Sequence, residues 1–203
     1  MILLINRATK LSATFLSLDK KYIARFKPGY ITDTWDLEGY IIESRDCKDL
    51  NILKLKKIAG SLKGDFLQTP PVFSAKKING KPAYCYARKN PYDLKIQNMK
   101  SSIVKIFDIE INSFNGDEVE MMIHCSSGTY IRSVIFEIGK ILGCGATMTG
   151  LIRTDIGKFE LKDCISADEV DKIAENGGPV SYEKAIIPLE RLDRIMGMDK
   201  RKL

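Results

Sequence analysis

Two residues one position apart, Tyr130 and Arg132, are the first candidates for chemistry in this chain. They stand in the run H-C-S-S-G-T-Y-I-R-S, residues 124–133. An arginine is permanently charged and offers a planar fork of donors that suits carboxylate or phosphate. A tyrosine pairs an aromatic face with a polar tip. Val134, Ile135, Ile138, Ile141 and Leu142 recur at helical spacing, with Ser133, Glu137 and Lys140 on the other side, so the run opens an amphipathic helix. Thr129 is the expected N-cap, and Gly143 and Gly145 are the expected stop. Arg132 then falls in the first turn, where the helix dipole disfavours a cation. An anion facing it, carboxylate or phosphate, would resolve that conflict. The residues by themselves leave open whether such an anion exists, or whether Arg132 is simply exposed and Tyr130 merely packs.

Composition narrows the chemistry. The 203 residues suit one large domain or one domain with an appendage. A single histidine, His124, and five scattered cysteines without a C-x-x-C pair support neither a zinc site nor a disulfide framework. Reduced, buried thiols are expected, as in a cytosolic protein. No apolar run has membrane-helix length, and the N-terminus lacks the basic region and cleavage site of a signal peptide. The net charge of +6 suits a polyanionic partner. Basic residues cluster at Lys54, Lys56, Lys57 and Lys63, and again at Lys76, Lys77, Lys81, Arg88 and Lys89. Phe73, Tyr84 and Tyr86 lie within the second cluster, a mixture that suits unstacked RNA bases and their phosphates. Asp33, Asp36 and Glu38 resemble an acidic site, but closely spaced Asp with Thr and Gly more often builds a turn.

The elements that must position these residues follow from periodicity. A helical pattern covers Ala8 to Leu18. Tyr22, Ala24 and Phe26 alternate with Lys21, Ile23, Arg25 and Lys27 in a strand with one polar face, ended by Pro28-Gly29. Residues 39–44 read as a return strand. Residues 48–60 read as a basic helix with Leu50, Ile52, Leu53 and Ile58 inward. Pro70-Pro71 excludes helix; Val72 to Ile78 is strand-like, Asn79-Gly80 is a turn, and Lys81 to Lys89 starts a short helix. Strands at 102–113 and 118–125 flank the hairpin signal Asn115-Gly116. A second strand follows the helix of the opening paragraph. Ser166-Ala-Asp-Glu opens a capped helix running to about Asn176, a further short element covers Ile186 to Ile195, and the charged tail frays.

The words are more specific than the pattern. C-S-S-G-T-Y-I-R-S, then G-C-G-A, then L-I-R-T resemble, in order and spacing, the TruB-type bacterial tRNA pseudouridine synthases, the tRNA pseudouridine-55 synthases. A-T-K with D-K-K-Y, T-D-T-W-D-L-E-G, and Q-T-P-P-V-F-S-A-K-K-I-N-G-K-P-A-Y resemble further words of that family. The likeness runs from residue 1 to about 165, a partial catalytic domain, with residues 166–203 resembling the start of the family's C-terminal segment. It implies an α+β fold: a mixed, largely antiparallel sheet flanked by helices. It implies an isomerase that needs neither cofactor nor metal, converting a T-loop uridine of tRNA to pseudouridine in the cytoplasm. No membrane association is expected, and a monomer is. By the same resemblance Tyr22 stacks on the extruded base, Tyr130 is a second site tyrosine, Arg132 pairs with the catalytic aspartate, and Leu151 is an apolar wall. Lys77 is a pocket lysine, and Lys21, Lys81, Arg88 and Arg153 join it in holding RNA.

One departure matters. The family's nucleophilic aspartate lies in G-x-L-D-P-x-A-x-G-x-L, preceded by G-H-x-G, and neither word occurs in these residues. The likeness therefore begins just after that loop, so the fold is expected to be truncated at its N-terminus, and the small C-terminal PUA domain is missing too. The expectation is that Arg132 is left without its partner and that the 203 residues alone bind tRNA weakly, fold poorly and do not isomerise uridine. The alternative is a non-catalytic RNA-binding or tRNA-folding module.

Overall fold

Alternating apolar residues build the strands on which the site rests, and a computed structural model of the protein describes residues 2–90, 99–175 and 186–196. A 3-10 turn, Asn6–Leu11, leads into α1, Ser12–Ser17. The expected continuous helix over Ala8 to Leu18 is thus split. Next come β1 (Lys20–Pro28), β2 (Tyr30–Thr32), β3 (Ile41–Ser44), α2 (Ile52–Ser61) and β4 (Gly64–Gln68). The small hairpin β5 (Lys77–Ile78) and β6 (Lys81–Pro82) precedes α3 (Ala83–Ala87). Then follow β7 (Ser102–Phe114), β8 (Val119–Cys125), α4 (Ile131–Leu142), β9 (Ala146–Ile156), β10 (Phe159–Glu160), α5 (Ala167–Glu175) and α6 (Leu189–Met196).

The chain divides into two units, residues 19–153 and residues 1–18 with 154–203. In the larger unit the strand order is β9–β1–β8–β7–β4. The pairs β1–β8, β7–β8 and β4–β7 are antiparallel, with Tyr22 opposite Ile123 and Lys20 opposite Cys125. Ala24, Phe26, Ile106, Ile109, Ile111, Val119, Met121 and Ile123 face one way and are buried under α2 and α4. The opposite face keeps Ile103, Phe107 and Met122 exposed, with Arg25 and Lys105. In the smaller unit, Leu11, Phe15 and Leu192 form a separate core with Leu18 and Phe159.

Several expectations are corrected here. Of the residues expected inward around α2, Ile58 is buried and Leu50 and Ile52 pack against the core, but Leu53 is 76% exposed, and Leu55 and Ala59 complete the buried face. The helix starts later than expected, because the Asn51 side chain accepts from Lys54 N (3.0 Å) and caps it. Val72 to Ala75 bends instead of forming a strand; the two prolines cannot donate to a ladder, and pairing begins only at Lys77. The hairpin and the Ser166–Glu169 capping box are as expected: Ser166 N donates to Glu169 Oε2 (2.7 Å) and Glu169 N to Ser166 Oγ (3.2 Å). Asn176 and the charged tail lie outside the described residues.

The cysteines depart from expectation. Cys47 and Cys144 form a disulfide across 97 residues, with Cα atoms 5.4 Å apart. Of the free thiols Cys125 is buried, Cys85 half-buried and Cys164 exposed. Sequence spacing could not reveal the pair, because its partners meet only when the loop after β3 lies against the end of α4. That approach is fixed by backbone bonds: Arg45 N donates to Gly29 O (2.8 Å), and Gly29 N donates to Gly145 O (3.0 Å).

Candidate active site

Arg132 is not an orphan. Its Nη1 donates to Asp36 Oδ2 (2.9 Å) and to the Thr34 carbonyl (2.9 Å), and Nη2 donates to the Phe73 carbonyl (2.8 Å). Both partners of the ion pair are about one-fifth exposed. The expectation of an unpartnered guanidinium is therefore wrong, and the reason is tertiary. The T-D-T-W-D-L-E-G segment does form turns, as expected, but the turn aims Asp36 at the first turn of α4. The Asp36 carboxylate is itself oriented, since Oδ1 accepts from Thr34 Oγ1 (2.7 Å) and Glu38 N (3.1 Å). Among the described residues, Nε–H and one Nη2–H of Arg132 have no partner. The guanidinium is thus held on one side and retains donors for a second anion.

The start of α4 differs from its expected form. Thr129 does not cap it; Thr129 Oγ1 donates to the Ser126 carbonyl (2.9 Å). Tyr130 is the N-cap, with extended backbone and no side-chain cap bond. Its N–H donates to Gln68 Oε1 (2.9 Å), while Gln68 Nε2 donates to the Gly128 carbonyl (2.7 Å). Gln68 is 1% exposed, so its amide is a buried staple between β4 and the loop that sets Tyr130. Ser133, expected on the polar face, is buried and donates to the Thr69 carbonyl (2.7 Å). Ile141, expected inward, is exposed, and Ile131 and Gly139 take up the buried face. Gly143 ends the helix in the left-handed region (φ 83°), as expected. Gln68 is the site residue that sequence reasoning missed, and Asp36, weighed there as part of an acidic cluster, is read as a turn residue without its role toward Arg132. A lone amide before two prolines, and an acid-rich turn in a chain whose Arg132 wanted an anion, were the available signals.

A second group gathers at the opposite end of β1 from Pro28. Tyr22 is half-buried on β1 and packs against the core. Burial pushes its phenol above the ordinary value of 10.0; the charge of Cys125 adds to this, and Arg153 acts in the opposite sense. Lys20 is lowered, first by burial and then by the nearby Arg153 cation. Burial likewise raises the Cys125 thiol. Asp19 pairs with His124, whose ring also lies 4.8 Å from that of Phe107. Arg153 thus acts on both the phenol and Lys20, while the Asp19 carboxylate acts on Lys20 in the opposite sense to Arg153.

The remaining candidates are surface residues. Leu151 is 43% exposed on β9, so it is not core. Lys77, Lys81, Arg88 and Arg153 are exposed, and Lys21 is half-buried. Lys77 and Lys81 sit on the β5–β6 hairpin, and the Arg88 guanidinium lies 5.4 Å from the centre of the Tyr84 ring. Among the described residues there is no group of His, Cys, Asp or Glu that could hold a metal ion, and no helix is long and apolar enough to cross a membrane.

Comparison with known proteins gives a consistent family. Residues 1–131 match the model of the TruB family pseudouridylate synthase N-terminal domain, and residues 132–192 match the tRNA pseudouridylate synthase B C-terminal domain. The chain is 36% identical over 192 residues to tRNA pseudouridine synthase B of Vibrio campbellii, covering 95% of this chain and 58% of that relative. It is 38% identical over 176 residues to the Endomicrobium trichonymphae protein of the same name, covering 85% of this chain and 75% of the relative. The chain spans about three fifths of the length of the Vibrio campbellii relative and of the tRNA pseudouridine synthase B of Francisella tularensis, to which it is 36% identical over 191 residues. Among solved structures, a chain of a Cbf5-Nop10-Gar1 complex superposes with a TM-score of 0.65 at 25% identity, over 92% of this chain and 46% of that one. A chain of an H/ACA RNP bound to a substrate RNA containing 2'-deoxyuridine superposes with a TM-score of 0.62 at 22% identity, over 92% and 45%. The α+β fold expected from the sequence is the fold these neighbours share.

Proposed function

This chain belongs to the TruB family of pseudouridylate synthases, and on that premise we propose that its site serves the isomerisation of a T-loop uridine in tRNA. In that reaction the C1′–N1 bond breaks, the base turns, C5 bonds to C1′, the C5 proton leaves and N1 gains one. No oxidant or cofactor is consumed. The observation that carries the reading is Arg132: a guanidinium clamped by Asp36 and two carbonyls, with donors left over for a further carboxylate. In the family that carboxylate is the nucleophilic aspartate, which trapping of sugar or base requires. Tyr22, a half-buried phenol that burial pushes further above its ordinary value, offers a neutral ring on which an unstacked base can lie. Tyr130 sets the entrance to α4, and Leu151 presents an apolar wall. Lys21, Lys77, Lys81, Arg88 and Arg153 meet the phosphates. The protein acts on tRNA as a monomer in the cytoplasm, without cofactor or metal.

The 203 residues alone bind a T-stem-loop weakly and do not complete the reaction, since they contain no counterpart of the L-D-P word. Fluorescence anisotropy with a T-stem-loop RNA and a scrambled hairpin tests the first half. Preference for the T-stem-loop, falling as salt rises, is expected; equal affinity for both would remove the substrate assignment. Tritium release from C5-labelled uridine tests the second half. Background release is expected, and release at the rate of a full-length relative would show that another group in these residues acts as nucleophile.

A further inference from the structure

Trp35 occupies a backbone conformation that a large side chain rarely adopts, with φ at 63°. Glycine is the residue that takes this region without steric cost, and another residue stays there only where the surroundings impose it. Two kinds of contact impose it here. The backbone is tied on both sides: Trp35 N donates to the Thr32 carbonyl (3.1 Å), and Met148 N donates to the Trp35 carbonyl (3.1 Å). The indole then stacks on Phe136, with centroids 4.1 Å apart and planes 14° from parallel. Phe136 lies one helical turn after Arg132, on the same face of α4. Neighbouring residues of the turn, Trp35 and Asp36, therefore dock on Phe136 and Arg132, neighbours on the helix. One contact is an aromatic stack and the other an ion pair with Nη1–Oδ2 at 2.9 Å. The bonds that Thr34 Oγ1 and Glu38 N give to Asp36 fix the carboxylate within its own turn, and the stack on Phe136 adds a rigid apolar attachment of that turn to the helix beside the polar contacts of Arg132.

We propose that Trp35 is a positioning residue, which through its stack on Phe136 holds the Asp36 carboxylate on Arg132 and so presents the guanidinium's remaining donors in a fixed direction. The structural part stands on the geometry alone; its consequence for RNA rests on the function proposed above.

The test uses the 203-residue chain and side-chain NMR of Arg132. A guanidinium clamped at both Nη groups rotates slowly, so its Nη resonances are resolved, and R132K identifies them. W35G keeps the backbone conformation permissible and deletes the stack; F136L deletes it from the helix side with a good helix former; W35F keeps a ring. Resolved Arg132 resonances are expected in the native chain and in W35F, and their collapse to an averaged signal in W35G and F136L. Trp35 is the sole tryptophan, so F136L also reports on the turn directly: its emission should shift to the red and become more accessible to acrylamide. If F136L keeps the resolved Arg132 signals and the native emission, the stack does not position the pair. That result overturns the proposal even if W35G fails to fold. In the binding arm, W35G should weaken T-stem-loop affinity about 3- to 10-fold, W35F should restore it, and W35G should add nothing in a D36N background. Additive losses would mean that Trp35 acts independently of Asp36. Absence of T-stem-loop binding by the native chain would count against the function alone, leaving the NMR outcome to decide the positioning role.

Discussion

At the scale of single residues, the site is organised by groups whose partners are distant in sequence. Arg132 was recognisable as misplaced, because a cation in the first turn of a helix needs an anion. Its partner, Asp36, sits 96 positions away in a segment that local pattern reads as a turn. Both readings hold: the turn's geometry is what aims the carboxylate. Tyr22 yields a prediction at this scale. Burial raises its phenol above 10.0, so folding favours the neutral form. The resulting stability is complete below the unfolded value near 10 and is lost as pH rises through the folded value. A tyrosinate absorbance titration of the native chain minus that of Y22F should show one phenol ionising later than an ordinary tyrosine. A difference curve centred at or below pH 10 would show that the ring is not desolvated as described.

At the scale of elements, α4 and the turn into β9 decide how closely the site can be built. Gly139 lies on the buried face of α4, and a methyl group there would overlap the backbone of Gly145 and Ala146. Replacing a mid-helix glycine with alanine ordinarily stabilises by roughly 1 kcal/mol. Here the overlapping atoms are backbone and cannot swing aside, so G139A should instead destabilise by about 1–3 kcal/mol. The urea midpoint checks the sign; a rise would mean that helix and strand are not in close approach. Periodicity located α4, its glycine stop and its core residues Val134, Ile135 and Ile138. It misassigned Ser133 and Ile141, both at the margin of the apolar stripe, where a few tens of degrees of helix rotation decide burial. Gln68 shows the same limit: a buried amide in a short strand becomes meaningful only once the loop it staples is in place.

At the scale of the whole molecule, the Cys47–Cys144 disulfide closes a long stretch of chain. Removing a cross-link that spans this much sequence costs about 2–4 kcal/mol. C47S should lower the urea midpoint accordingly and become insensitive to dithiothreitol, whereas the native chain should fall to the C47S value on reduction. Alkylation of the unfolded, unreduced chain should label three cysteines, Cys85, Cys125 and Cys164, of the five present. Labelling of all five would show that the pair is not bonded.

What the sequence determined by itself was whatever depends on neighbours along the chain: strand alternation in β1, β7 and β8, the Asn115-Gly116 hairpin, the capping box at Ser166, the run of words that marks the family, and the electrostatic oddity of Arg132. Folding in three dimensions chose which distant groups meet: Asp36 with Arg132, Gln68 with Tyr130, Trp35 with Phe136, Cys47 with Cys144. The physical reason is range. Backbone preference and amphipathic period act over a few residues, whereas a hydrogen bond or ion pair acts over about 3 Å of space and is indifferent to the length of chain between its partners.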